Sequence, residues 1–196
     1  MKHRDISPCS ALQKWGISNF AIQVNTQEQL CYVFNKEFEV YRTYPISTSK
    51  KTSNLKNSSG TPFGMHIISK RIGDGVPIGE RFVGRKAQNE IVEILKSKPV
   101  VEPKGDYILT RILQLKGQEQ GVNKGSNGHR DYNGNEVFNN VDSFERYVYF
   151  HGTNEEYKIG SKASHGCIRM KNEDIVDLFS FIQEGSPVYI ELSACE

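Results

Sequence analysis

RYVYFHGTNEEYKIGSKASHGCIRM, residues 146–170, places two of the chain's five histidines and one of its four cysteines within a single short run. RYVYFHG (146–152) is apolar from Tyr147 to Phe150 and reads as a strand that ends at His151 and Gly152. A polar connection containing Gly160 leads to Cys167, sixteen residues after His151. A strand end, a return loop and a second strand end can bring the two side chains into contact.

Downstream, NEDIVDLFSFIQEG carries Ile175, Leu178, Phe179 and Ile182 on one helical face. Asn172 is placed as its N-cap, with Glu173 and Asp174 in the first turn and Gly185 as the stop. After Pro187, VYIEL alternates Val188, Ile190 and Leu192 as a closing strand. Upstream, YILTRILQL (107–115), MHIISKRIG, LCYVFN, KEFEV with YRTYPIS, and the alternation of Phe20, Ile22 and Val24 all read as strands. QNEIVEILKS (88–97) spaces Ile91, Ile94 and Leu95 as a helix does.

Two polar stretches stand out. Residues 47–60, STSKKTSNLKNSSG, form a loop, mobile or functional. Residues 116–143 are too long for a routine connection; a lid or an exposed insertion carrying His129 and Arg130 are the two readings, the insertion preferred. The expected fold class is therefore mainly β with short helices. Residues 1–17 form a loose or helical lead-in, and 18–196 a single domain.

Composition narrows the function. With 25 basic and 23 acidic residues, a net +2, no nucleic-acid partner is expected. The start, MKHRDISPCSALQKWGISNF, lacks the apolar core of a secretory signal, and no stretch is long enough for a membrane anchor. The expectation is cytoplasmic for the chain as written, and periplasmic if a leader was removed. Cys9, Cys31, Cys167 and Cys195 form no C-x-x-C pair and are expected as free thiols, with Cys31 in the core. GDGVPIGERFVGR has neither a dinucleotide fingerprint nor a P-loop, and no cofactor is expected.

Cys167 can be a nucleophile, a metal ligand, a disulfide partner or a small buried residue. A nucleophilic cysteine needs a base and oxyanion donors. His151, at its strand end, is the leading base; His165 is better suited to shaping the site or touching substrate. Gly166 lets the backbone approach a reacting carbonyl, so its N–H and that of Cys167 are candidate oxyanion donors. Arg169 offers a planar cation suited to clamping a substrate carboxylate. A zinc site built on His151, His165 and Cys167 is the rival chemistry.

FHGT, SHGCIRM with the helix after it, and GSPVYI together resemble the L,D-transpeptidase family with the YkuD-type catalytic domain. YRTYPISTSK, TPFGMHIISKRIGDGVPIGERFVGR and ILTRILQLKG follow in the family's order, so the resemblance covers roughly residues 18–192. It implies a β-sandwich-like catalytic domain that uses no metal and acts on peptidoglycan tetrapeptide stems or muropeptides. In that family the cysteine cleaves the bond between a diamino acid and the terminal D-alanine, through a thioester. By matching positions Cys167 is the nucleophile, His151 the base and the Gly152 carbonyl its orienter. Ser164, His165, Gly166 and Arg169 surround the nucleophile, with Tyr149 on the substrate side. Arg169 stands where many members carry asparagine, and the spacer from His151 to Ser164 is short. L,D-carboxypeptidation of recycled muropeptides is the expected reaction; crosslinking transpeptidation and a non-catalytic peptidoglycan-binding module are the alternatives.

Overall fold

The structure, a computed structural model, describes residues 7–103, 105–130 and 132–192. Cys195 and the side chains of His129 and Arg130 lie outside the described residues.

Three strands open the fold as a meander: β1 (Phe20–Asn25), β2 (Leu30–Asn35) and β3 (Val40–Ser47). There follow β4 (Gly64–Ile72), β5 (Glu80–Val83), β6 (Lys86–Ile91) and β7 (Ile108–Gly117), then a separate hairpin of β8 (Ser126–Arg130) and β9 (Glu136–Asn140). β10 (Tyr149–Gly152), β11 (Ile168–Met170) and β12 (Pro187–Ile190) complete the strands, with helices α1 (Ser10–Trp15) and α2 (Asn172–Phe181). The main sheet runs β10-β11-β3-β2-β1-β12-β4-β7, and β7 pairs back onto β10, closing it into a barrel-like β-sandwich. The β5–β6 hairpin extends from β7.

Strand side chains alternate between faces, so closure sorts each strand into an inner and an outer set. Ile22, Val24, Cys31, Val33, Ile46, Leu113, Leu115, Phe150, Ile168, Met170, Val188 and Ile190 make the inner set, and Ile175, Leu178, Phe179 and Ile182 of α2 and its end join the same core. Each fully buried side chain of this kind stabilises by about 1.5–3 kcal/mol. The outer set of β10 and β11 is therefore Tyr149, His151 and Arg169, with Cys167 one step before β11. Leu12 of α1 is buried against Ala21 and Met65, so the lead-in packs onto the barrel.

Several sequence expectations need correction. Residues 88–97 are not a helix: β6 pairs with β5 through a tight turn at Gly84 and Arg85, whose φ values of 55° and 66° suit a two-residue hairpin. Glu80 accepts the amides of Gln88 and Asn89 at 2.8 and 2.7 Å, and Leu95 is tied to Asn154 and Tyr157. A ten-residue helix is marginal alone, and these pairings outcompete it. Asn172 is the first helical residue rather than the cap. Its Nδ2 donates to the carbonyl of Thr153 at 2.8 Å, while Glu156 accepts its backbone N–H at 2.7 Å. The helix ends at Phe181, and Gly185 lies in the turn beyond it. The 47–60 segment is a loop, as expected: the Ser53 N–H donates to the Thr61 carbonyl, the Thr61 N–H to the Lys51 carbonyl, and Arg146 donates to the Ser53 and Gly60 carbonyls. Within 116–143, buried Asn123 anchors a turn to Phe63 and Met65 before the β8–β9 hairpin.

His66 on β4 is fully buried, with Nδ1 on the Gly64 carbonyl and Nε2 on the Ser143 hydroxyl, both at 2.9 Å. Burial holds its pKa down to about 4, from an ordinary 6.5. Between those values the unfolded chain takes up a proton that the folded chain refuses, so stability falls as pH drops from about 6.5 to 4. The expected loss is about 3 kcal/mol at most. Urea unfolding at pH 7 and 4.5 should show a larger acid loss for the wild type than for His66→Gln.

Candidate active site

The parallel pairing of β10 and β11 sets His151 beside Arg169, and the same ladder continued back by one pleat sets Tyr149 beside Cys167. Thiol and imidazole thus share the barrel's outer face on neighbouring strands. The Tyr149 N–H approaches the Cys167 sulfur, and the Cys167 thiol faces the Tyr147 carbonyl at 3.6 Å.

His151 is buried, and its Nδ1 lies 2.7 Å from the Gly152 carbonyl. A carbonyl only accepts, so Nδ1 carries the proton and Nε2 presents a lone pair. Burial pulls the imidazole pKa below its usual value; Asp106 and the bond to Gly152 act in the opposite direction, and Arg169 adds to the lowering. Burial likewise pushes the Cys167 thiol up to about 11, against the Tyr149 N–H, Arg146 and Arg169, which favour thiolate. Burial thus acts against the charged form of both groups, the thiolate of Cys167 and the imidazolium of His151.

Gly152 is glycine for a packing reason: a Cβ there would run into the Asn172 side chain and lie 3.0 Å from the Leu109 carbonyl. Gly166 has φ +125°, a left-handed backbone that other residues rarely adopt, and a Cβ would meet the Gly60 carbonyl at 3.3 Å. Ser164 Oγ donates to the Cys167 carbonyl at 2.6 Å and accepts the Gly166 N–H at 3.2 Å, locking the turn before the nucleophile. The Gly166 N–H, a candidate oxyanion donor, thus has the Ser164 hydroxyl as its partner in the structure.

Arg169 is corrected. It is 0% exposed, and its carboxylate partners belong to the protein: Nη1 lies 2.8 Å from Glu155 and 3.1 Å from Asp106, while Nη2 donates to Ser47 at 3.1 Å. It braces the floor beneath His151 and is closed to a substrate carboxylate. The ring of Tyr149 is buried among Phe82 and Ile112, so it walls the site rather than reaching into it. His165 is 82% exposed, with Nδ1 4.0 Å from Asp106. It borders the cleft, and among the described residues no three His, Cys, Asp or Glu side chains converge to hold a metal.

Cys167 opens into a cleft of about 660 Å3 lined by Lys56, Asn57, Ser59, Phe144 to Val148, His165 and Gly166. Two residues escaped the sequence reading. Asp106, far from the motif in sequence, accepts the Thr153 hydroxyl at 3.2 Å and bridges Arg169 and His165. Arg146 immediately precedes the strand, yet nothing in its local pattern separates it from a surface cation.

Comparison with known proteins follows the same strands. The YkuD family model, an L,D-transpeptidase catalytic domain, matches residues 19–190. The probable L,D-transpeptidase YbiS of Escherichia coli K12 is 46% identical over 43 residues, 22% of this chain and 14% of its own length. The putative L,D-transpeptidase YqjB of Bacillus subtilis is 50% identical over 40 residues, 20% of this chain and 23% of its own. The solved structure of Bdellovibrio bacteriovorus Bd1075 superposes with a TM-score of 0.50 at 14% identity, over 95% of this chain and 50% of that one. The chain thus spans about half of that protein, and the aligned segments cover less than a quarter of the two curated relatives. Since the family match runs from β1 through β12 and takes in both strands that carry the thiol and the imidazole, this chain belongs to the YkuD L,D-transpeptidase catalytic-domain family.

Proposed function

We propose that the protein cleaves the diamino acid–D-alanine bond of peptidoglycan tetrapeptide stems through a thioester on Cys167, and that water resolves this intermediate, making it an L,D-carboxypeptidase. The observation that carries the first half is the 2.7 Å approach of His151 Nδ1 to the Gly152 carbonyl, which favours the tautomer protonated there and leaves Nε2 to take the thiol proton. The sulfur adds to the carbonyl, with the Cys167 amide as candidate oxyanion donor. The carbon–nitrogen bond then breaks, the leaving nitrogen takes the proton from His151, and D-alanine departs. Water, deprotonated by the same imidazole, releases the tripeptide.

Hydrolysis is favoured over crosslinking by the charge of the cleft. Lys56 and Arg146 line it against a single acid, Glu145, which is itself bonded to Asn140. An acceptor amine arrives as a cation at neutral pH and meets like charge, whereas water does not. Recycled, soluble muropeptides are the proposed substrate pool, with a cytoplasmic site of action. The test is mass spectrometry of a disaccharide tetrapeptide incubated with and without an amine acceptor. Tripeptide should dominate in both; a crosslinked dimer forming faster than tripeptide would overturn the hydrolytic reading, and no D-alanine release would overturn the reaction.

The pH profile is a second test. Activity requires neutral His151, so kcat/KM should climb through a pKa below the ordinary 6.5 and stay level through neutral pH. Asp106→Asn removes a charge that favours imidazolium and should move this limb to still lower pH. A resting thiolate would instead show rapid iodoacetamide alkylation of Cys167 throughout the acid range, contrary to a thiol near 11.

A further inference from the structure

Arg146 borders the same cleft as Cys167, and its charge favours the thiolate there. Nη1 donates to the Ser53 carbonyl at 2.9 Å and Nη2 to the Gly60 carbonyl at 2.7 Å. Both acceptors are neutral, and among the described residues Arg146 forms no ion pair. Arg169 differs sharply, with Glu155 and Asp106 both within 3.1 Å. A half-buried guanidinium without a counter-charge is costly, and its five N–H donors exceed what two carbonyls use. Glu145, the acid in the cleft, is exposed and accepts from Asn140 at 2.7 Å.

Its position is indexed to the nucleophile. The Gly60 carbonyl that accepts from Arg146 is the atom lying against Gly166, 3.3 Å from where a Cβ would stand. One carbonyl therefore sets the spacing between the cation and the turn that presents Cys167. In the proposed reaction the substrate ends one residue beyond the attacked carbonyl, about 3.8 Å further along the chain from Cα to Cα. Arg146 and Cys167 line one cleft, so a chain end held there shares that space with the cation.

We propose that Arg146 is a specificity-determining residue that binds the C-terminal carboxylate of the stem, so that the enzyme selects donors ending in a free acid one residue past the scissile bond. This rests on the function proposed above. As the carbon–nitrogen bond breaks, the nitrogen takes the proton held by His151, and D-alanine leaves with its carboxylate still at Arg146. The second basic residue of the cleft, Lys56, sits on the 47–60 loop and contributes general positive potential.

The test compares three tetrapeptide stems with the full-length protein: the free acid, the C-terminal amide, and a stem whose diamino acid carboxylate alone is amidated. Wild-type kcat/KM should fall about 10–100-fold on the C-terminal amide, the span of a lost charge-assisted hydrogen bond. Arg146→Gln should lose a similar factor on the free acid and nothing further on the amide, with Arg146→Lys intermediate and Lys56→Gln keeping the wild-type ratio. The wild-type acid-to-amide ratio needs no variant, so a misfolded variant does not spare the proposal. Equal turnover of acid and amide by the wild type, or equal losses on both for Arg146→Gln, would reduce Arg146 to a strut of the 47–60 loop. Selectivity confined to the diamino acid carboxylate would reassign the cation and overturn the terminal assignment. If the wild type processes none of the three stems, the functional reading itself fails.

Discussion

Cys167→Ala and His151→Ala each lower D-alanine release by about 10⁴-fold or more, and the double variant is no slower than either single one. The non-additivity is the informative part. In the proposed mechanism thiol and imidazole act as one unit, because the sulfur would reach its reactive form by handing its proton to Nε2 of His151. A purely structural pair would instead show losses that add. Cys167 is partly exposed at the cleft, and its removal should leave the thermal midpoint nearly unchanged. His151 is buried and bonded to Gly152, so its variant needs a melting curve beside the kinetics. Release by Cys167→Ala at more than a few per cent of the wild-type rate would remove the thioester from the mechanism.

Arg169→Met produces the largest stability loss, about 3–5 kcal/mol, because it removes a fully buried cation from between Glu155 and Asp106 and leaves the partly buried Asp106 unpaired. Glu155 would keep Lys158 at 2.7 Å, while Asp106 would lose its 3.1 Å partner beneath the site. For a domain of this size that corresponds to a fall of roughly 10 °C in the thermal midpoint. Adding Asp106→Asn should return part of the loss by removing the uncompensated charge. Arg169→Lys keeps the charge but not the planar fork, and should fall between wild type and Arg169→Met. Urea unfolding of the four proteins checks the series; a loss under about 1 kcal/mol for Arg169→Met would show that the network contributes little.

The two experiments separate roles that the motif SHGCIRM runs together. Ser164 and Gly166 shape the turn, Cys167 faces the cleft, and Arg169, two residues on, is sealed beneath it. Adjacent letters thus carry chemistry, local geometry and internal electrostatics. Alternation along β11 does not divide them, since Cys167 and Arg169 share the outer face; the contacts of Arg169 with Asp106 and Glu155 do.

What the sequence alone determined is what is local. Alternating apolar residues mark β1 and β12, and runs rich in aromatic and β-branched residues mark β2, β4 and β7. The apolar stripe of α2 is equally legible, as is the pairing of one cysteine with a histidine at a strand end. Residues 88–97 were misread for the same reason: Ile91, Ile94 and Leu95 fit a helical period, and the bonds that hold the hairpin come from Glu80 and Asn154, outside the segment. Only the tertiary structure decided which strands pair, that the barrel closes through β7 and β10, and that this closure leaves His151, Arg169 and Cys167 on one outer face. It also decided the partners of the two arginines. Each is a single cation beside apolar residues, and what each one does depends on whether a distant carboxylate reaches it. Asp106 and Glu155 reach Arg169 and close it off; among the described residues no carboxylate pairs with Arg146, which keeps its charge for the cleft.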